Sequence, residues 1–349
     1  MIIVTGAYGF IGSCLVKFLN QQGIKDIVAV DDFSKKNNEP NLADAQVLKR
    51  VERDDLLDFI DKNNPSVSFI FHLGARTDTT EFDWKILEKL NLTYSQDLFL
   101  KCTKYCIPII YASSAATYGN GEEGYSDKTL PQFLTPLNPY GKSKNDFDQW
   151  LSALAESRDI MASKPFFSSF KLDEFPFWAG FKFFNVYGPN EYQKGRMAST
   201  IFHFTNQIQA NGAVSLFKSH NPKYADGGQM RDFVYVKDVL NVLFWFYKNY
   251  KTTSREGGAS SSVKSGLYNL GTGQARTFND LVANVFKNVD KPLTINYIPT
   301  PEDIRDKYQY FTEADMSSVK AAGYDLPFTS LEDGIADYVQ HYLLPKKQF

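Results

Sequence analysis

The sequence has little cysteine: three in 349 residues. Cys14, Cys102 and Cys106 are too few and too scattered for a disulfide framework, which points to a reducing compartment. Cys102 and Cys106 stand at helical spacing in an apolar segment and read as packing residues. Histidine is nearly as scarce. His72, His203, His220 and His341 show no metal-ligand spacing, so no metal centre is expected. Neither sign of charge dominates, with 38 basic against 40 acidic residues. That balance argues against a nucleic-acid partner and against an anionic membrane surface. No run reaches the roughly 18 apolar residues of a membrane span, and no leader pattern precedes the first apolar run. The expectation is a soluble, cytoplasmic protein. Aromatics, by contrast, are plentiful at 15%, which suits a packed enzyme and a stacked ligand. The length suits two domains, or one α/β domain with an appended lobe.

The first residues carry the first chemical signal. Met1–Thr5 reads as a buried strand, and Gly6-Ala7-Tyr8-Gly9-Phe10-Ile11-Gly12 follows it directly. A helical pattern through Leu15, Val16, Phe18 and Leu19 comes next, closed by Gly23. Ile27–Val30 is then a second strand, ending at Asp31. This is a βαβ unit with its glycines at the first turn. Glycines there permit a tight turn and close backbone approach, and the helix N-terminus offers N–H groups to a pyrophosphate. Asp31 and Asp32 stand where an acid accepts hydrogen bonds from a ribose, which favours NAD. Lys35 and Lys36 stand where a cation receives the 2′-phosphate of NADP. The two signals pull in opposite directions.

A helix is expected around Asp54–Lys62, then a strand over Val67–Leu73 that contains His72, read as a core or edge histidine. That strand ends in Gly74-Ala75-Arg76-Thr77, a small-residue turn on the ligand side of a doubly wound sheet. Asn91 lies on the next helix. Ile107–Ala112 is another strand, and Ser113 to Gly119 leave its carboxyl end with several hydroxyls. Pro139 then opens a helix that places Tyr140 and Lys144 one turn apart on one face. An ammonium beside a phenol lowers its pKa and readies it as a general base. Alone, the pair is equally compatible with a solvated helix face.

Taken together, these pieces resemble the extended short-chain dehydrogenase/reductase family of nucleotide-sugar epimerases and dehydratases. The matching segments are Thr5–Gly12, Leu73–Ala75, Ala112–Gly119 and Asn138–Lys144, in the family's order. The resemblance implies a Rossmann-like, doubly wound parallel sheet of class α/β with a smaller C-terminal substrate-binding lobe. It implies a dinucleotide domain over residues 1–180 and a substrate lobe over 181–349, with returns near 181–190 and 228–250. It also implies a catalytic set of Ser114, Tyr140 and Lys144. Ser114 would hold the substrate oxygen, Tyr140 would exchange a proton, and Lys144 would bind the nicotinamide ribose. The implied cofactor contacts are Gly6, Gly9, Phe10, Ile11, Gly12, Asp31, Asp32, Lys36, Leu73, Gly74, Ala75, Asn91 and Val186, with Tyr140 and Lys144.

The second half narrows the resemblance. Residues 161–180 read as an aromatic insertion packed on its own domain, with a membrane- or partner-contacting patch as the alternative, before a strand at Phe181–Phe184. Residues 252–264 are Ser- and Gly-rich and read as a surface loop. Phe184–Pro189 is general to the extended family. Lys194-Gly195 with Met197-Ala198-Ser199 and Phe202-His203 is similar to the ADP-glycero-manno-heptose 6-epimerases. Arg231–Val236, Tyr268–Gly273, Tyr308-Gln309 and Ala321–Tyr324 extend that likeness. It implies inversion at C6 of an ADP-heptose with bound NADP, supplying lipopolysaccharide core heptose. Lys194 would be a second acid/base and a cofactor-side contact, and a phosphate-binding cation is the alternative. Asn185, Arg196, His203, Phe217, Lys218, Ser219, His220, Arg231 and Tyr308 fall at substrate-side positions with Ser114, and Arg231 suits a diphosphate. Family members commonly assemble, so a homo-oligomer is expected. Arg76 and Arg196 depart from the subfamily pattern. The rivals are a UDP-hexose 4-epimerase, a 4,6-dehydratase and a non-catalytic dinucleotide sensor. Ala115-Ala116-Thr117-Tyr118 lacks the Asp-Glu pair of a dehydratase.

Overall fold

The computed structural model describes residues 1–162, 175–250, 263–305 and 308–349, with backbone alone at 158–162 and 303–304. Most of the aromatic stretch 161–180 and of the Ser- and Gly-rich stretch 252–264 therefore lies outside the described residues.

The strands are β1 (Ile2–Thr5), β2 (Ile27–Asp31), β3 (Lys49–Glu52), β4 (Phe69–His72), β5 (Ile109–Ser114) and β6 (Trp178–Phe183), followed by β7 (Asn185–Tyr187), β8 (Val214–Phe217), β9 (Met230–Tyr235), β10 (Gly266–Leu270), β11 (Ala275–Thr277) and β12 (Ile295–Ile298). The principal helices are α1 (Phe10–Gln21), α2 (Leu56–Asn63), α3 (Trp84–Leu87), α4 (Tyr94–Tyr105), α5 (Pro139–Ala162), α6 (Thr200–Asn211), α7 (Val236–Asn249) and α8 (Phe278–Val289).

Seven strands form one parallel sheet in the order β10-β6-β5-β4-β1-β2-β3. The chain winds outward from β1 in both directions, so the crevice opens between β1 and β4. Alternate residues of each strand face opposite sides. Val4, Ala29, Phe71 and Phe181 pack with α1 and α7. Ile3, Val30, Ile70 and Tyr111 pack with α2, α4 and α5. Both faces are covered, which is why these strands read as unbroken apolar runs.

Beyond it lie a three-stranded sheet, β11-β9-β7, and a two-stranded one, β12-β8. β6 begins at Trp178, earlier than the expected Phe181, because Trp178 itself is buried against the α4–α5 side. The described end of the aromatic stretch is packed as expected. Phe177 stacks on Tyr250 with ring centres 5.2 Å apart, and Phe175 meets Phe99 at 5.6 Å. β10 returns to the edge of the large sheet, a crossing that nothing local in the sequence signals. No helix among the described residues is long and apolar enough to cross a membrane.

Candidate active site

Two adjoining cavities open at the carboxyl ends of the parallel strands. The first, of about 760 Å³, runs along β1, β2 and β4. Its floor is the glycine turn. Gly6 has φ of +69°, and a Cβ there would lie 2.7 Å from the Gly74 backbone. A Cβ on Gly12 would lie 2.0 Å from the carbonyl oxygen of Gly6. No side chain caps α1 and no acid stands in its first turn. Its leading N–H groups are therefore available to an anion, and the bare turn lets a pyrophosphate approach. These residues fit a dinucleotide. Gly12→Ala should empty the site, with no dinucleotide absorbance in the purified protein. It should also cost about 1–3 kcal/mol in stability, read by thermal unfolding.

Gly9, Phe10, Ile11, Asp31, Lys36, Leu73, Ala75 and Lys194 line the same cavity, as the sequence led us to expect. The Asp31 carboxylate is held in place by backbone: Tyr8 N donates to it at 2.9 Å and Asp32 N at 2.7 Å. Asp32 lies outside the lining and takes Ser34 Oγ–H at 2.5 Å. Lys35 lines it beside Lys36, as expected, and Ser34, Asn38, Arg53 and Tyr94 also line it and were not anticipated. Arg53 comes from the end of β3, an edge strand with alternating charge that carries no motif. Arg76 lines the cavity too, with its charge met by Glu81 at 3.2 Å and Asp78 at 3.5 Å.

The second cavity, about 370 Å³, holds Ser114, Tyr140, Lys144, Asn185 and Val186. Phe10, Leu73 and Lys194 line both cavities, so the two spaces are continuous. Tyr140 and Lys144 project from the first turns of α5, which Pro139 opens as expected. Ser114 ends β5 and caps the following turn, accepting from Ala116 N at 3.1 Å. Its hydroxyl faces the same cavity as Tyr140.

The protonation of Tyr140 differs from the expectation. Burial pushes its hydroxyl above the ordinary tyrosine value, the neighbouring Ser114 hydroxyl pulls it back, and the Asp148 charge adds to the rise. Desolvation of the phenolate outweighs the local spacing of phenol and amine. Burial also brings Lys144 down to about 8, against the upward pull of Asp148.

Lys194 faces the same space from the turn Tyr192–Met197, after β7. Its amine sits 5.3 Å from the Phe10 ring centre. Burial lowers its pKa and the Glu191 charge partly restores it. Glu191 is fully buried and braces this loop. It accepts from Ser199 N and Oγ, each at 2.6 Å, and from Tyr338 Oη at 2.9 Å.

Asn91 lines neither cavity. It sits in a π-helical turn, Glu88–Thr93, between α3 and α4. Its Oδ1 accepts from Arg76 N at 2.7 Å, and its Nδ2 donates to Arg76 O and to Ser143 Oγ, both at 3.0 Å. It clamps the β4 strand end to α5. His72 supports that clamp. Ser95 Oγ donates to Asn91 O at 2.6 Å, so it must accept from His72 Nε2, 3.0 Å away. His72 Nδ1 then accepts from Thr5 Oγ1 at 2.7 Å. The ring is neutral, its pKa lowered to about 3 first by burial and then by Lys144. An unfolded histidine titrates near 6.5. Above that pH the contribution of His72 is intact. Below it the unfolded chain binds a proton that the fold refuses, and stability falls towards pH 3. By pH 5 the loss is about 2 kcal/mol. Chemical denaturation at pH 7.5 and 5.0 should show a smaller drop in His72→Gln than in the parent.

Most of the other residues expected on the substrate side form a separate group, away from Tyr140. The Tyr308 ring lies 6.1 Å from both Phe217 and His220. The Arg231 guanidinium sits 5.8 Å from Tyr308 and 5.9 Å from Phe278, and Phe278 lines the second cavity. Arg231 has no carboxylate partner among the described residues and bonds only carbonyls, Met230 O at 2.8 Å and Gln309 O. Ser219 N is held by Asp226 at 2.7 Å and sits beside Lys218 on the same rim. His203 lies half-buried on α6, its ring 5.6 Å from Phe202, and Arg196 turns to Thr80; neither lines these two cavities.

The family model described as the NAD dependent epimerase/dehydratase family matches residues 2–259. A Fusobacterium nucleatum protein named ADP-L-glycero-D-manno-heptose-6-epimerase is 42% identical, over all of both chains. One from Nitratidesulfovibrio vulgaris with the same name is 44% identical, also over all of both chains. The crystal structure of the Helicobacter pylori ADP-L-glycero-D-manno-heptose-6-epimerase has a TM-score of 0.75 and 27% identity, covering 97% of this chain and 95% of that one. With that family model over most of its length and such relatives over all of it, the chain belongs to the NAD dependent epimerase/dehydratase family.

Proposed function

We propose that this protein is an ADP-L-glycero-D-manno-heptose 6-epimerase. It interconverts ADP-D-glycero-β-D-manno-heptose and its L-glycero epimer, in the cytoplasm, for lipopolysaccharide core supply. The observation that carries the reading is the pair of acid/base groups on one cavity: Tyr140 from α5 and Lys194 from the loop after β7. The names and identities of the full-length relatives support the substrate.

Inversion at one carbon requires its oxygen to meet an acid/base in two orientations. Tyr140 serves one and Lys194 the other, while Ser114 holds the oxygen on the Tyr140 side. A bound nicotinamide supplies hydride acceptance and return. The glycine turn, Asp31, Lys144 and the Leu73–Ala75 strand end would hold that cofactor. Arg231, free of any carboxylate partner among the described residues, suits the substrate diphosphate, and the Tyr308–Phe217 rim suits the base. We read the cofactor as NADP. Asp32 is spent on Ser34 and Lys35, while Lys35, Lys36 and Arg53 gather at the ribose end.

The test is incubation with ADP-D-glycero-D-manno-heptose, and separately with UDP-glucose and UDP-galactose, with product stereochemistry followed by NMR. Conversion of the heptose alone is expected. Turnover of the UDP-hexoses without the heptose would replace this reading with a 4-epimerase. The dinucleotide released on denaturation, identified by mass, should be NADP.

A further inference from the structure

Behind the site lies a buried ionic cluster to which neither the sequence motifs nor the proposed chemistry gives a role. Asp148 and Lys182 have no exposed side-chain surface, and Nζ lies 2.9 Å from Oδ2. The same Asp148 oxygen accepts from Ser113 Oγ at 2.6 Å, and the other accepts from Tyr111 Oη at 2.9 Å. Lys182 Nζ donates to Thr117 Oγ1 at 2.8 Å, and Thr117 donates on to Ser114 O at 2.8 Å.

A buried ion pair is a poor device for stability. Apolar groups of the same volume commonly do as well or better, because desolvation offsets the attraction. Its placement suggests another use. On α5, Asp148 follows Lys144 by one turn and Tyr140 by two. The hydrogen bonds of the pair end on Ser113 and, through Thr117, on Ser114 itself. The cluster therefore ties the strand end that carries Ser114 to the helix that carries Tyr140 and Lys144.

We infer that the Asp148–Lys182 ion pair is a positioning element of the active site, fixing Ser114 against α5 and holding Lys144 as a cation. Several groups surround Lys144. From β4 comes His72, which is neutral. From β5 come the hydroxyls of Ser114 and Tyr111. Tyr140 shares α5, Lys182 lies beyond Asp148 on β6, and Lys194 is a second cation on the same cavity. Burial works against the Lys144 charge, and Asp148 is the carboxylate that opposes burial. The same carboxylate opposes ionisation of Tyr140, so its service is to the lysine and to geometry.

The inference borrows from the epimerase reading only the roles of Ser114, Tyr140 and Lys144, and its test does not require turnover. Protein labelled with ¹³Cε-lysine is titrated by NMR, with the Lys144 signal identified by its absence in Lys144→Met. Asp148→Asn should lower the Lys144 midpoint by about 1–3 pH units, the range for loss of a nearby opposite charge. Lys182→Arg keeps the pair and should leave the midpoint in place. If Asp148→Asn does not fold, the double variant Asp148→Asn/Lys182→Met removes both charges and should shift Lys144 in the same direction. An unmoved Lys144 midpoint in a folded variant lacking Asp148 overturns the inference. A moved midpoint in the variant, with a parent protein that leaves the heptose unchanged, would sustain it and sink the epimerase reading instead.

Discussion

Tyr140→Phe should cut heptose epimerisation by about 10²–10⁴-fold, the usual worth of a positioned acid/base. The change removes one oxygen and keeps the ring. The carbonyl of Tyr140 still accepts from Ser143 Oγ at 2.7 Å, so the Asn91 clamp on α5 stays closed. Ser114 keeps its bond to Ala116 N. Even if the phenol's loss cost a whole hydrogen bond, about 0.5–1.5 kcal/mol, the unfolding temperature of a chain of this size would move by a few degrees at most. Activity and stability should therefore separate: a well-folded, cofactor-retaining protein that scarcely turns over. The pH profile carries a second check. Burial raises the Tyr140 pKa, so on the face it serves as a base the parent rate should rise with pH through neutrality. Near-parental rates in the phenylalanine variant would remove Tyr140 from the chemistry.

The parts of this site written in local sequence were the parts that could be read. The glycine turn announces itself because backbone conformation selects glycine within a few residues, as at Gly6 and Gly12. Tyr140 and Lys144 share a face because four residues make about one helical turn. Five strands of the parallel sheet, β1, β2, β4, β5 and β6, were legible in outline, since buried parallel strands are largely apolar. What stayed hidden depends on contacts distant in sequence. β10 joins β6 across an intervening lobe, and its five residues resemble any short strand. Arg53 reaches the dinucleotide cavity from an edge strand. Asn91 looks like a cofactor contact in linear order, yet its amide is spent on Arg76 and Ser143. Spacing gave the wrong sign for Tyr140, because it counts the neighbouring amine and omits the loss of water. The Asp148–Lys182 pair needs both α5 and β6 in place before either charge has a partner.

Lys194→Met should also cost about 10²–10⁴-fold in epimerisation, for a reason that Tyr140 cannot cover. Methionine matches the lysine stem in length, so the packing against Phe10 survives. The loop is held by Glu191 through Ser199 and Tyr338, and none of these three bonds involves the Lys194 amine. The protein should fold and retain its dinucleotide, while the inverted heptose fails to appear by NMR. Loss of activity alone, however, does not separate an acid/base from an anchor for phosphate. Arginine does. A guanidinium binds phosphate at least as well as an ammonium, but it does not give up its proton near neutral pH. Lys194 is suited to do so because burial lowers its pKa. If Lys194 is the second acid/base, Lys194→Arg should be as inactive as Lys194→Met. Recovery in the arginine variant would make Lys194 a phosphate anchor and leave Tyr140 to serve both faces of the carbon. A planar ketone whose oxygen stays beside one phenol accepts hydride from one side only. That outcome would therefore require either a different second base on the cavity wall or a substrate that is not inverted at this carbon.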